Sequence, residues 1–288
     1  MKVAIIGGYG KMGEWLARFL LKDGRQVVIA GRDQAKLRET AQRLRVESAT
    51  SSEAVKQSDA VILSVPIDKF EQIVSDIAPY TSPQQLIFDV TSIKAAPVAI
   101  LHKYIKNGSV LGVHPMFGPG ADGIAGQRFV LTPTSKAEGE TAVKVRKYLE
   151  GKGARVAVMS PAEHDELMAI VLGLSHFIGL VTADTLLDLG KIKESSAVSG
   201  TTYRLLLTMA ESVASEDPEF YSSLQMNLPG LDKIEQLFAE KAGKWLDLVN
   251  KKEGRQFADR MKAIRKRLVE ADPDFERAYR ELYGLTGK

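Results

Sequence analysis

His114 ends the apolar run Val110-Leu111-Gly112-Val113 and is followed at once by Pro115-Met116-Phe117-Gly118-Pro119. A run of this kind reads as a strand stopped by proline and glycine. In an open α/β sheet the carboxyl ends of the strands are where ligands bind. An imidazole placed there can take or give a proton near neutral pH, or can simply close a loop. Two further segments carry possible partners. After the apolar Leu86-Ile87-Phe88 comes Asp89-Val90-Thr91-Ser92-Ile93-Lys94, which sets Ser92 and Lys94 just past a strand end, on the same sheet edge as His114. In Thr201-Thr202-Tyr203-Arg204-Leu205-Leu206-Leu207, Arg204 interrupts an apolar helix. A buried guanidinium needs a counter-charge, and either an anionic substrate or an internal salt bridge can supply it.

A second chemistry is written at the N-terminus. The strand-like Lys2–Ile6 runs into Gly8-Tyr9-Gly10-Lys11-Met12-Gly13 and then into an apolar helix. This is G-x-G-x-x-G between strand and helix, the context in which it binds a dinucleotide. Gly8 is expected to allow the tight turn, Gly10 to let a pyrophosphate approach the backbone, and Gly13 to let helix and strand pack closely. The helix N-terminus adds free N–H groups and partial positive charge. The second strand ends Val27-Val28-Ile29-Ala30-Gly31-Arg32-Asp33. Gly31 leaves space there and Arg32 offers a fork for a ribose 2′-phosphate, which points to NADP ahead of NAD. Asp33, two positions on from Gly31, is the alternative acidic residue for a 2′-hydroxyl. Ser64-Val65-Pro66 closes another strand, and its backbone is expected to pass the nicotinamide side of the crevice.

The elements that must position these residues alternate. Strands are expected at Lys2–Ile6, Gln26–Ala30, 60–65, 85–90, 109–113, Arg128–Thr132 and 155–159, with helices between them such as 12–22 and 141–151. That alternation predicts an α/β fold with a Rossmann-type, doubly wound, mostly parallel sheet over residues 1–161. Past Pro161 no strand pattern recurs, and residues 162–288 read as an all-helical substrate and dimerisation domain. Its first helix, 162–189, is apolar on nearly every face, so it should be buried on all sides. A small domain can achieve that by pairing with a second copy, and a homodimer is expected.

Composition narrows the classes. The net charge of +3 over 288 residues is too mild to argue for nucleic acid. With no cysteine there are no disulfides, thiolate catalysis or cysteine metal sites, and no His-x-x-x-His pair is present; no metal is expected. The apolar region 168–189 is broken by His176, Asp184 and Asp188, so it reads as a buried helix and not a membrane span, and a cytoplasmic location is expected.

Taken together, His114-Pro115-Met116-Phe117-Gly118-Pro119, Asp89-Val90-Thr91-Ser92-Ile93-Lys94, and Tyr203-Arg204-Leu205 followed by Asp217-Pro218-Glu219-Phe220-Tyr221 resemble the prephenate dehydrogenase family. The resemblance runs in order from the glycine-rich turn to about Asn227. It implies oxidation and decarboxylation of prephenate to 4-hydroxyphenylpyruvate with a nicotinamide cofactor, or the same reaction on arogenate. It implies that His114 takes the proton of the ring hydroxyl, that Ser92 assists at that hydroxyl and orients the histidine, and that Arg204 binds a carboxylate. It places Lys94 with the substrate and His176, in Leu174-Ser175-His176-Phe177, near the site. Some members carry a chorismate mutase domain in front or a regulatory domain behind; neither is expected here, so any tyrosine inhibition would act at the active site. A reductase of small imines or hydroxy acids on the same plan has no evident need for Ser92, His114 and Arg204 together. A sensor built on an inactive dehydrogenase would not need to keep the proton acceptor.

Overall fold

A computed structural model describes residues Met1–Thr286, which divide into two compact units. The first comprises Met1–Met168 with Met226–Leu228, the second Ala169–Gln225 with Pro229 onward. The first unit runs β1 (Lys2–Ile6), α1 (Lys11–Lys22), β2 (Gln26–Ala30), α2 (Gln34–Leu44), β3 (Glu47–Ala49), α3 (Ser51–Lys56), β4 (Ala60–Leu63), α4 (Ile67–Ile77), β5 (Leu86–Asp89), α5 (Ala95–Tyr104), β6 (Ser109–Pro115), β7 (Arg128–Thr132), α6 (Lys136–Glu150), β8 (Arg155–Val158) and α7 (Pro161–Met168). Among the described residues eight strands form one sheet in the order β3-β2-β1-β4-β5-β6-β7-β8. All neighbours are parallel except β6 and β7.

The core follows from the two-residue period of strands. Val3, Ile5, Val27 and Ile29 face one side with Trp15, Leu16 and Leu20 of α1. Ala4, Ile6, Val28 and Ala30 face the other with Phe70, Val74 and Leu101. Both faces are covered, so the central strands are apolar throughout.

Some features of the first unit differ from the sequence expectation. β3 is a short, polar edge strand that gives no apolar run to read. β6 continues through Pro115, so His114 lies in the last turn of pairing and not beyond it, opposite Val130. The helix after Pro161 is counted with the sheet as far as Met168, seven residues past the expected boundary.

The second unit is helical: α8 (Ser175–Leu189), α9 (Ile192–Ala197), α10 (Thr201–Ala214), α11 (Pro218–Asn227), α12 (Leu231–Asn250), α13 (Gly254–Ala271) and α14 (Arg277–Thr286), with a π-helical turn over Ala169–Leu174 before α8. Gly179 lets α8 and α10 approach, since a Cβ there would lie 2.8 Å from Val213. The apolar helix expected to be buried by pairing with a second copy is open in a single chain. Leu180, Val181, Leu187 and Leu189 of α8 are exposed. By length and composition alone Pro161–Leu189 could cross a membrane, with a mean hydropathy of 1.8 in its most apolar stretch, of which 22% is buried.

Candidate active site

Strand order reverses between β1 and β4, since β2 and β3 build outward on one side and β5 and β6 on the other. The crevice outside the carboxyl ends of such a pair is the ligand site of this architecture. Gly7 makes the left-handed turn there, at φ 86°. A Cβ on Gly7 would run into the Ser64 carbonyl, so Ser64-Val65-Pro66 sits directly against the glycine turn. The tight turn assigned to Gly8 therefore belongs to Gly7. Gly8 is needed for a different reason, because a Cβ there would lie 2.5 Å from Ile29 of β2. Gly13 fits its expectation: a Cβ there would lie 2.3 Å from the Gly7 carbonyl. Gly10, the N-cap of α1, has no side chain to cap the helix, and a Cβ there would lie 3.3 Å from the Gly7 carbonyl. Lys11 is exposed at the first turn, and Met12 is half-buried on the core. A helix N-terminus above a glycine-rich turn fits a pyrophosphate.

The adenosine end is partly redrawn. The Tyr9 ring fills the space beside Gly31, where any Cβ would strike it, so Gly31 accommodates Tyr9 and not a ligand. Arg32 is exposed. The Asp33 carboxylate caps α2, accepting from the amides of Ala35 at 3.0 Å and Lys36 at 3.1 Å.

The strand ends align. Ile6 pairs with Leu63, Leu63 with Asp89, and Asp89 with Gly112. His114, two residues past Gly112, is still paired in β6, and Ser92 lies in the loop three residues past Asp89, the end of β5, so both fall at the carboxyl edge of the sheet. With strands about 4.8 Å apart, β6 lies roughly 14 Å from β1 across two intervening strands, a span suited to the ribose and nicotinamide of a dinucleotide whose phosphates sit on the glycine turn.

At that edge His114 is 5% exposed, and its Nδ1 lies 2.8 Å from Nε2 of His164. The other nitrogen of His164, Nδ1, lies 2.7 Å from Oδ1 of Asp165. Asp165 also accepts from the backbone amides of Lys94 (2.7 Å, Oδ1) and Ala95 (2.8 Å, Oδ2), which open α5. Burial above all, then the nearby Lys94 charge and the second imidazole, holds the His114 pKa well below the ordinary 6.5. His114 is thus a neutral base at physiological pH.

That burial has a stability consequence. The unfolded chain binds a proton at this histidine near pH 6.5, before the folded chain does, so stability should fall as pH drops below about 6.5 and be unaffected by His114 above it. Denaturation midpoints compared between the unmodified chain and His114→Asn isolate this share. Parallel acid losses in both proteins would contradict it.

Lys94 is not where a substrate contact would put it. It is 0% exposed, with its ammonium on the Asp89 carboxylate and its aliphatic stem beside Gly112. Binding a substrate would require that pair to open. Ser92 is half-buried at the edge of the site. His164 and Asp165 were not singled out in the sequence, because Pro161-Ala162-Glu163-His164-Asp165 reads there as an ordinary polar helix start.

The family model described as the nucleotide-binding domain of prephenate dehydrogenase matches residues 16–158, and that described as its dimerization domain matches residues 160–263. The chain belongs to the prephenate dehydrogenase family. A probable arogenate/prephenate dehydrogenase of Methanocaldococcus jannaschii is 34% identical over 270 residues, covering 92% of this chain and 60% of that protein. The T-protein of Haemophilus influenzae is 29% identical over 250 residues, covering 83% and 60%. The chain thus spans about 60% of the length of these curated relatives. The fold matches the crystal structure of prephenate dehydrogenase from A. aeolicus in complex with hydroxyphenyl propionate and NAD+, with a TM-score of 0.76 at 22% identity over 94% of this chain and 98% of that one. It also matches Synechocystis arogenate dehydrogenase, with a TM-score of 0.70 at 21% identity over 96% and 100%.

The helical unit of this prephenate dehydrogenase-family chain holds the other two expected residues. Arg204 lies in the first turn of α10 and is exposed in a single chain, so the internal salt bridge that a buried arginine would have needed is not required. His176 lies in the first turn of α8 with its ring tilted 55° to that of Tyr221, centroids 4.5 Å apart, and its Nδ1 is buried without a hydrogen-bond partner. Burial lowers its pKa, with the charge of Glu216 opposing.

Proposed function

We propose that this chain is an NADP-preferring prephenate dehydrogenase acting as a homodimer. The observation that carries the reading is a buried, neutral imidazole on the same sheet edge as a glycine-rich dinucleotide turn, three strands away in register. When bound, the nicotinamide cofactor would accept the C4 hydrogen with its two electrons. Gly7, Gly8, Gly10, Gly13 and the N-terminus of α1, with Tyr9, Lys11 and Met12, would hold its phosphates, and Ser64-Val65-Pro66 its nicotinamide half.

His114 takes the proton of the C4 hydroxyl as that carbon becomes a carbonyl, a general-base assistance typically worth about 10²–10⁴-fold. The dienone then accepts the electron pair of the C1–CO2 bond as carbon dioxide leaves and the ring becomes aromatic. His114 returns its proton to the phenolate oxygen. Burial favours this return, since it raises the energy of the charged imidazolium. No net proton is consumed, and the products are 4-hydroxyphenylpyruvate, carbon dioxide and reduced cofactor. Ser92 hydrogen-bonds the hydroxyl, and Arg204 holds the side-chain carboxylate. The exposed apolar face of α8, within the segment matched by the dimerization domain, supports a second copy as its cover. Arogenate is the second reading, since the name of the M. jannaschii relative gives both substrates.

A steady-state assay crossing prephenate and arogenate with NADP and NAD tests the proposal. Turnover of prephenate is expected, faster with NADP; no turnover of either substrate with either cofactor would reject it. Arg32→Ala should raise the KM for NADP roughly tenfold or more while leaving that for NAD within about twofold; equal losses would remove the phosphate role. Arg204→Gln should raise the substrate KM by roughly tenfold or more, the worth of a charge-assisted pair. An unchanged KM would make Arg204 structural only.

A further inference from the structure

His164 and Asp165 are the most deeply buried polar pair of the sheet unit outside Lys94 and Asp89, at 0% and 2% exposure. Burying both is costly unless every polar atom is matched, and here the matching has a direction. Asp165 takes a backbone N–H on each carboxylate oxygen, so neither oxygen is free to act as a donor. It sits at the start of α5, where the helix favours a negative charge. The His164 nitrogen facing it, Nδ1, must therefore carry a hydrogen. A neutral His164 then presents a bare Nε2. The His114 nitrogen facing that lone pair, Nδ1, must in turn carry its hydrogen, and a neutral His114 is left with a bare Nε2. The rings meet edge to face, 5.0 Å between centroids at 61°, which also fixes the plane of His114.

We infer that His164 and Asp165 are positioning residues, which place the single proton of His114 on Nδ1 and so aim a bare Nε2 at the substrate hydroxyl. The kinetic part of this inference rests on the proposed dehydrogenase reading; the tautomer itself does not. Without an acceptor at Nδ1 the imidazole proton settles on Nε2, the site preferred by a free histidine side chain, and the base is blocked. The helix that carries the pair lies past the last strand, yet it belongs to the nucleotide-binding unit.

The test is nitrogen NMR of the full chain with labelled histidine, read near neutral pH, together with kinetics of two variants. In the unmodified protein His114 should show a protonated Nδ1 and a bare Nε2. In His164→Leu the proton should move to Nε2, and kcat should fall about 100-fold or more, a wrong tautomer in an imidazole base costing up to about 10⁴-fold. The substrate KM and cofactor binding should stay within about threefold. His164→Gln, whose side-chain carbonyl can still accept from Nδ1, should keep the native tautomer and recover kcat to within about tenfold of the unmodified protein. A protonated Nε2 in the unmodified protein, an unmoved proton in His164→Leu, or a kcat equally low in both variants would overturn the inference. If the chain turned over neither prephenate nor arogenate, the dehydrogenase reading would fall while the spectra still decided the tautomer.

Discussion

Replacing His114 by asparagine should lower kcat by about 10²–10⁴-fold, the contribution of a positioned general base, with the affinities for substrate and dinucleotide changed by no more than a fewfold. Asparagine keeps a polar atom near the hydroxyl and can still hydrogen-bond to it. It has no lone pair basic enough to take the proton, so binding survives and chemistry does not. The loss should not be recovered by raising pH. In the unmodified protein kcat/KM should fall only on the acid side, with its midpoint below the ordinary histidine value of 6.5, because burial depresses the His114 pKa. Steady-state kinetics and equilibrium binding on one preparation check both halves. A kcat within threefold of the unmodified protein would remove His114 from the chemistry.

Lys94→Met should destabilise the fold by about 3–5 kcal/mol, the cost of leaving one member of a buried ion pair alone. Asp89 and Lys94 are both 0% exposed. Burial pushes the Asp89 pKa up and the Lys94 pKa down, and each is opposed by the charge of the other. With the ammonium gone the burial effect is opposed only by the hydrogen bonds from Thr91, and Asp89 must either stay charged in a buried site or take up a proton. A second change, Asp89→Asn on the Lys94→Met background, should recover part of the loss by removing the stranded charge. Denaturant titrations of the three proteins measure this. If Lys94→Met instead left stability intact and raised only the substrate KM, Lys94 would be a substrate ligand after all.

The glycine turn and the strand alternation were readable in the sequence because their causes are local. Gly13 is demanded by a carbonyl six residues away, and the two faces of β1 are set by residues adjacent in the chain. The one slip at that turn has an equally local origin. The G-x-G-x-x-G template begins at Gly8, whereas the left-handed residue is Gly7, directly before it. What could not be read depends on tertiary proximity. His164 lies fifty positions from His114, and nothing in its flanking residues marks it as buried. Lys94 has its partner five positions upstream, within the same quoted motif, but spacing alone does not say that both side chains turn inward. Tyr9 covering Gly31 is likewise a meeting of two loops that the sequence shows only as separate. The exposure of α8 shows the converse limit: an apolar helix announces that it will be covered, not by which chain.

The most direct test of the central claim is the stoichiometry of the reaction with prephenate. Reduced cofactor would be followed by absorbance and carbon dioxide by trapping, in the same sample of the unmodified chain. Oxidative decarboxylation with His114 taking and returning one proton predicts equal amounts of the two products. Cofactor reduction without carbon dioxide, or neither product at all, would contradict it.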